Sequence, residues 1–138
     1  MTALPFLSVI MPIRNEGAII RESLEAVLAQ DYDQDRMEIL VVDGMSTDDT
    51  RQIVLSMQSR SPNIILLDNP GKIVPVGMNI ALRRARGDIF VRVDGHCTIA
   101  RDYVSRCVGI CKTTVSTAWV GRCTPWARRA SPASSRWR

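Results

Sequence analysis

The sequence predicts an α/β fold in which a mostly parallel sheet is covered by helices on both faces. Two observations support this prediction. Short, continuously apolar runs alternate four times with longer segments in which apolar residues recur every three or four positions. The runs do not alternate between apolar and polar residues, which is typical of strands buried on both faces. The 138 residues have the length of one domain.

The four apolar runs are the predicted strands. They are residues 6–13, 39–42, 64–67 and 89–93. Their short lengths favour strands over helices. Because parallel strands need a crossover connection, the segments between them are expected to be helical.

The first two predicted helices follow the first two strands. The first spans residues 17–30, and its apolar residues with helical spacing are Ile20, Leu24, Val27 and Leu28. The second is expected to begin with Ser46 and Asp49, a pair that resembles a capping box. Asp48 and Asp49 are also expected to interact with the dipole of this helix. Its inward residues are predicted to be Ile53, Val54 and Met57.

The next two predicted helices follow the third and fourth strands. Pro75 suits the first turn of the third helix, and Gly87 is expected to end it. The inward face of this helix is predicted to consist of Met78, Ala81, Leu82 and Ala85. The inward face of the fourth helix is predicted to consist of Val104, Cys107, Val108 and Cys111.

The charge of the chain is unevenly distributed. All 14 acidic residues and 12 of the 18 basic residues lie in residues 1–111, whose net charge is −2. Residues 112–138 carry the other six basic residues, so nucleic-acid binding is not predicted for the α/β part. No apolar run reaches the roughly 18 residues of a membrane-spanning helix. No basic segment of a signal peptide is present, so a cytoplasmic location is predicted.

The cysteines do not follow a zinc-binding pattern. Cys97, Cys107, Cys111 and Cys123 show no C-x-x-C spacing, and His96 is the only histidine. Buried thiols are therefore predicted in preference to zinc ligands.

Polar residues follow three of the predicted strands. Asp43 and Asp94 each end an apolar run, and residues 12–16 form a polar turn after the first strand. Ligands of parallel sheets bind at the carboxyl ends of the strands, so these segments are expected to converge there. The turn "PIRNEG" is neither a dinucleotide-binding turn nor a P-loop. An acidic edge would hold a diphosphate through a divalent cation, with Asp94 and His96 as candidate ligands of Mg²⁺ or Mn²⁺.

Three ordered segments carry a family resemblance. They are "SVIMPIRNEGAIIRESLEAVLAQDY", "EILVVDGMSTDDT" and "NPGKIVPVGMNIALRRARGDIFVRVDGHC". Together they resemble the inverting family 2 glycosyltransferases, whose fold is the Rossmann-like GT-A fold. The resemblance covers about residues 6–111. Arg92 and the "DGH" form are most similar to bacterial enzymes that build exopolysaccharides such as succinoglycan.

The resemblance implies that five residues contact the donor nucleotide near the first two strands. In the family a Pro-x-x-Asn-Glu turn lies against the nucleotide, and here it corresponds to Pro12, Asn15 and Glu16. The aspartate that ends the second strand binds the uracil ring in the family. That residue corresponds to Asp43, with Ser46 nearby.

The resemblance implies further contacts from the second half of the sheet. The D-x-D motif that holds the metal and the diphosphate corresponds to Asp94 and His96, so a histidine replaces the second aspartate. Lys72 and Asn79 belong to the segment that faces the nucleotide or its sugar.

Several of these residues have a structural alternative. Asp43 and Asp94 could be solvated loop residues. Asn15 could serve only as a helix N-cap. His96 could be a surface residue, and Lys72 could be solvated.

The resemblance also implies the substrates. The donor would be a nucleotide-diphosphate sugar, specifically a UDP-sugar, and the acceptor a polysaccharide or a lipid-linked saccharide. In the family an Asp or Glu beyond the D-x-D motif is the catalytic base. No acid follows Asp102 in this sequence. The base is therefore predicted to be missing, and the chain is expected to be an incomplete, inactive fragment.

The last part of the chain is predicted to be irregular. Residues 112–138 contain no acid and show no clear periodicity, so residues 1–111 are predicted to be the nucleotide-sugar-binding half domain. Back-translation of residues 115–127 with GC-rich codons, read two bases later, yields a segment that would be a plausible next strand of the family and that restores an acid. The interpretation is that the reading frame shifts near Thr114.

Three other functions remain open on the sequence alone. The chain could be a nucleotide-binding remnant without turnover. A receiver-like phosphoacceptor domain would need an acidic pair after its first strand, where only Glu16 is present. A nucleotidyltransferase would share the acidic edge but usually has a Gly-rich basic turn after the first strand.

Overall fold

A computed structural model describes residues 4–113, 118–119 and 126–129, and the side chains of residues 4–110. The strands are β1 Leu7–Ile13, β2 Met37–Asp43, β3 Ile64–Asp68, β4 Ile89–Arg92, β5 Ala118–Trp119 and β6 Trp126–Arg129. The helices are α1 Ile20–Leu28, α2 Thr50–Gln58, α3 Val74–Arg84 and α4 Tyr103–Thr113, with a short 3-10 helix at Gln34–Arg36. Among the described residues, no helix has the length and apolar character needed to cross a membrane.

The strands form one sheet in the order β3-β2-β1-β4-β6-β5. β1 to β4 are parallel, with β1 paired to both β2 and β4. Ile13 lies opposite Asp43, so the carboxyl ends of β1 and β2 coincide. The four predicted strands therefore all form, and the predicted α/β fold is confirmed.

Helices cover both faces of the parallel strands. Successive side chains of a strand point to opposite faces. The larger core contains residues of β1 with one face each of α1, α2 and α4. On the other face, Ile10, Leu40 and Phe90 pack against Ala81 of α3. Because both faces of these strands are buried, their sequences are continuously apolar.

The start of α2 differs from the prediction. Its N-cap residue is Asp49, whose side chain forms no capping hydrogen bond. Ser46 does not cap the helix, because its hydroxyl donates to Asp43 at 2.5 Å. The predicted capping box is therefore wrong.

The boundaries of α1 and α3 also differ from the prediction. α1 begins at Ile20 with Ile19 as its N-cap, so Asn15 does not cap it. α3 ends before Ala85, whose backbone is extended, so Gly87 does not end this helix. A Cβ added to Gly87 would lie 2.5 Å from Ser8 Oγ. Gly87 is thus required for close packing against β1 rather than for helix termination.

Two short strands differ from the expectation of an irregular tail. β6 is antiparallel to β4, with Phe90 opposite Arg128, and β5 is antiparallel to β6. The physical reason is that a strand edge pairs through backbone N–H and C=O groups, which need no apolar alternation in the partner. The other residues after 113 lie outside the described residues. The domain boundary at residue 111 and the frameshift stay predictions.

Candidate functional site

A cleft lies at the carboxyl ends of β1, β2 and β4. It encloses about 170 Å³. Five of the nine predicted site residues line it, and these are Pro12, Glu16, Lys72, Asp94 and His96. The expected convergence of three separate segments on one edge of the sheet is therefore present.

The other four predicted residues do not line this cleft. Asp43 ends β2, and Asn15 and Ser46 lie in the hydrogen-bonded loops beside the cleft. Asn79 is exposed on α3. The reason is geometric, because Met78 faces the sheet and the next helical residue is turned by about 100°.

Asp43 is almost fully buried and has partners for both carboxylate oxygens. Its Oδ1 accepts hydrogen bonds from the backbone N–H of Ser46 at 3.1 Å and from the Ser46 hydroxyl. Its Oδ2 lies 3.3 Å from Arg51 Nη1, which also binds the exposed Asp68 at 2.6 Å. Asp43 therefore fixes the loop after β2 and is not a solvated turn residue.

The loop after β1 is bound to the loop after β2. Asn15 Oδ1 accepts from the backbone N–H of Thr47 at 2.8 Å, and the Asn15 N–H donates to Ser46 Oγ at 2.9 Å. The Glu16 N–H donates to Thr50 Oγ1 at 2.9 Å. These contacts hold the residues directly before the predicted start of α1, and the helix itself begins later, at Ile20.

Asp48 adds a further contact between the two loops. Its carboxylate accepts from the Gly17 N–H at 3.1 Å and from the Thr50 N–H at 3.0 Å, and it also binds the Thr50 hydroxyl. The hydrogen bond from the Thr50 side chain, followed by that from the Thr50 backbone, lowers the pKa of Asp48. Asp48 thus holds the two loops together as an ionised group.

Three non-glycine residues in these loops have left-handed backbone conformations. They are Asn15, Met45 and Lys72, with φ of 50°, 61° and 64°. Each follows a different strand, β1, β2 or β3, at the same edge of the sheet. Such conformations cost about 1–2 kcal/mol for residues other than glycine, and they concentrate at functional sites.

The turn after β4 packs closely against the rest of the cleft. A Cβ added to Gly95 would lie 2.6 Å from Ile13 Cγ2, so only glycine fits between Asp94 and His96. The Ser23 hydroxyl of α1 donates to the Gly95 carbonyl at 2.7 Å. α1 and the end of β1 therefore fix the position of this turn.

The two predicted metal ligands have charged neighbours. Arg92 Nε donates to Asp94 Oδ1 at 2.8 Å, and Nδ1 of His96 lies 3.5 Å from Glu16 Oε1. The His96 side chain is 59% exposed, whereas that of Asp94 is 24% exposed.

The donor atoms in this turn suit a divalent cation. Single ligand atoms of Asp94, His96 and Cys97 all lie within 4.8 Å of one another. Carboxylate oxygen and imidazole nitrogen both suit Mn²⁺, whereas a thiolate is preferred by softer ions such as Zn²⁺. Cys97 and Cys107 are buried, as predicted, but Cys97 was not predicted as a ligand. Its position directly after "DGH" was the signal that could have identified it.

Sequence reasoning also missed Asn69 on the wall of the cleft. Its side-chain N–H donates to the Ile73 carbonyl at 2.9 Å, and its backbone N–H donates to the Asp43 carbonyl. Asn69 Oδ1 is buried and accepts no hydrogen bond within the described part of the chain. Asn69 directly follows β3, so its place after a strand was the available signal.

The sequence comparisons identify relatives of known class. The sequence model of Glycosyl transferase family 2 matches residues 8–124. Glycosyltransferase AglE of Haloferax volcanii is 32% identical over 106 residues, which are 76% of this chain and 35% of AglE. The succinoglycan biosynthesis protein ExoA of Rhizobium meliloti is 32% identical over 102 residues, which are 72% of this chain and 31% of ExoA. The chain thus spans about a third of the length of these relatives.

Solved structures show the same fold. The mannosyltransferase PcManGT from Pyrobaculum calidifontis, in complex with GDP-Man and Mn²⁺, matches with a TM-score of 0.79 and 31% identity over 88% of this chain and 37% of PcManGT. TarS 1-349 of S. aureus, in complex with UDP-GlcNAc, matches with a TM-score of 0.66 and 28% identity over 78% of this chain and 31% of TarS. Both resemble this chain in its parallel sheet and helices.

Proposed function

Because this chain belongs to glycosyl transferase family 2, we propose that it binds the nucleotide-diphosphate sugar donor of a glycosyltransferase. The observation that carries the proposal is the convergence of three strand ends on one cleft, which both acidic and basic side chains line. Glu16 and Asp94 line this cleft together with Arg14, Lys72 and Arg92. Basic groups suit a diphosphate, and the acidic groups suit its metal ion.

Asp94 and His96 are the proposed ligands of a divalent cation, Mn²⁺ or Mg²⁺. When bound, such a cation neutralises charge on the donor diphosphate. Arg92 holds one oxygen of Asp94, which leaves the other oxygen for the ion. Lys72, which also lines the cleft, is proposed to contact the donor.

Asp43 is the proposed contact of the base of the nucleotide. A carboxylate oxygen can accept more than one hydrogen bond. Oδ2 of Asp43 has a long contact with Arg51 and is almost fully buried, so an N–H of uracil would reach it by displacing the Arg51 side chain. On this basis the donor is proposed to be a UDP-sugar, with Asn15 and Ser46 positioning the loop around Asp43.

Transfer of the sugar is proposed to need more than the residues of this chain. The acceptor is proposed to be a polysaccharide or a lipid-linked saccharide, activated by a carboxylate base. Residues 103–138 contain no Asp or Glu. General-base assistance contributes about 10²–10⁴ in rate. We therefore expect donor binding without efficient transfer, which a radiolabelled UDP-sugar assay against a full-length relative would measure.

Calorimetry with UDP, with and without Mn²⁺, tests the proposed site. UDP is expected to bind more tightly with Mn²⁺ than in EDTA. Asp94→Ala should remove only the metal-dependent increment, because its ligand is the ion. Asp43→Ala should weaken UDP binding even without metal, because Asp43 contacts the base.

A control variant separates base recognition from the loss of an ion pair with Arg51. Asp68→Ala removes the other partner of Arg51 but lies on the exposed side of that residue. The UDP affinity of Asp68→Ala should stay within about twofold of that of the wild-type chain, because an exposed ion pair contributes little to stability. Equal UDP affinity of the wild-type chain in Mn²⁺ and in EDTA would refute the metal role. An identical loss in Asp43→Ala and Asp94→Ala would refute the division of roles.

A further inference from the structure

We propose that Cys97 is a third protein ligand of the metal site, which therefore prefers Zn²⁺ or Co²⁺ to Mg²⁺ and Mn²⁺. The inference rests on the proposed function, because it concerns the same cation. Asp94, His96 and Cys97 would supply one oxygen, one nitrogen and one sulfur atom. Thiolate and imidazole favour ions late in the Irving–Williams order.

The backbone brings Cys97 back beside Asp94. The Cys97 N–H donates to the Asp94 carbonyl at 3.0 Å, which closes a tight turn over Gly95 and His96. The three ligand atoms lie within 4.8 Å of one another. A tetrahedral ion with ligands at ordinary lengths places them roughly 3.3–3.8 Å apart. An adjustment of about 1 Å is needed, and the exposed side chain of His96 has the freedom to make it.

The surroundings of His96 favour a ligand role. A histidine that binds a metal usually has a carboxylate or carbonyl beside its other ring nitrogen, which orients the ring. Glu16 Oε1 lies 3.5 Å from His96 Nδ1. Glu16 also lies close to the turn, as a Cβ built on Gly95 would be 3.5 Å from Glu16 Cγ. Glu16 is therefore a positioning residue for His96 in this proposal.

The local charge also suits a divalent ion. Glu16 and Asp94 contribute two negative charges beside the turn, and Arg92 offsets one of them. The carboxylates would therefore attract a divalent ion to this turn.

Three protein ligands leave one coordination position of a tetrahedral ion open. This is the arrangement of catalytic zinc sites, where the open position takes water or substrate. Asp94 and His96 both line the cleft, so in this proposal the open position would accept an oxygen of a donor diphosphate bound there. Three ligands would also hold the ion before the nucleotide binds, whereas a two-ligand site would depend on the diphosphate.

Cobalt spectroscopy of the tag-free chain without nucleotide tests the proposal. Thiolate bound to Co²⁺ produces a charge-transfer absorption in the near ultraviolet, which carboxylate and imidazole do not. The band is expected in the wild-type chain and in Cys107→Ser, and it should be absent in Cys97→Ser. Zn²⁺ should displace Co²⁺ at a concentration at least about tenfold lower than Mn²⁺ does.

A second variant keeps the proposal falsifiable if Cys97→Ser does not fold. The chain with Cys107, Cys111 and Cys123 all replaced by serine retains Cys97 as its only cysteine, and it should still give the band. Absence of the band in the wild-type chain, or its persistence in folded Cys97→Ser, would overturn the proposal. Calorimetry with UDP then distinguishes failure of the proposed Cys97 ligand from failure of the proposed donor-binding function. Retained Mn²⁺-dependent binding means that only the thiolate ligand is wrong, and loss of that binding means that the proposed function fails.

Discussion

At the scale of single residues, Asp48 connects the loops after β1 and β2 through Gly17 and Thr50. Its hydrogen bond from the Thr50 N–H, at the first residue of α2, is the kind of contact expected of an acid that interacts with the dipole of this helix. A hydrogen-bonded carboxylate also makes the stability of these loops depend on pH.

The pKa of Asp48 is expected to lie below the ordinary aspartate value of about 3.9. Because the folded-state pKa is lowered, the contribution of Asp48 to stability is present above the unfolded-state value. It is lost as pH falls through the folded-state pKa. The Thr50 hydroxyl is the first cause of the shift. Thr50→Val should therefore raise the pKa of Asp48, as measured by NMR titration of its carboxyl carbon. The same pKa in both chains would contradict the assigned cause.

At the scale of elements, a buried network connects the loop after α3 to the amino ends of β1 and β2. Glu38 Oε1 accepts from Ser8 Oγ at 2.6 Å and from the Arg86 N–H at 2.7 Å. The Gly87 N–H donates to Ser8 Oγ at 2.9 Å. Arg86 also pairs with Glu38 and lies over the ring of Phe6. This network holds the α3–β4 connection at the edge opposite to the cleft.

Two glycine-to-alanine substitutions should have opposite effects on stability. Gly87→Ala is expected to lower the free energy of unfolding by about 1–3 kcal/mol, because its Cβ would clash with the backbone and hydroxyl of Ser8. A Cβ added to Gly109 in α4 would have no neighbouring atom within 4 Å. Gly109→Ala should therefore raise the free energy of unfolding by about 0.5–1 kcal/mol. Urea unfolding of the three chains measures both effects. A stable Gly87→Ala chain would show that the loop can move away from β1.

The strands of the parallel sheet and their connecting helices were predictable from the sequence, whereas the residues at which they begin and end were not. Short apolar runs predict buried strands, and apolar residues at helical spacing predict helices with one buried face. Helix starts are decided by contacts between loops, such as that of Asn15 with Thr47, which no local pattern reveals. For the same reason, the closeness of Cys97 to Asp94 depends on a turn rather than on a spacing rule. Asn79 was placed by family resemblance, which does not specify the rotation of α3.

At the scale of the whole molecule, β6 covers the outer edge of β4. Ile89, Phe90 and Val91 pair with residues 127–129. This pairing was not predicted, because the basic sequence of the tail has no strand-like alternation. An uncovered β4 would present unpaired backbone groups to other chains.

Removal of residues 114–138 should therefore expose the edge of β4. In a chain that ends at Thr113, amide hydrogen exchange in β4 is expected to be at least about tenfold faster than in the whole chain. Exchange in β2 should change less, since β2 lies between β1 and β3. Sedimentation velocity should also detect self-association of the shortened chain. Equal exchange in β4 of both chains would show that the tail does not protect this edge.

The central position of β1 has a consequence during protein synthesis. Of the four parallel strands, β1 leaves the ribosome first, yet Leu7 pairs with both Met37 and Ile89. After Asp43 has been added, 46 further residues must be translated before Ile89 is present. At about 5–20 residues per second, one side of β1 stays without its partner for roughly 2–9 s. During these seconds the nascent chain presents an apolar segment of the kind that ribosome-associated chaperones bind.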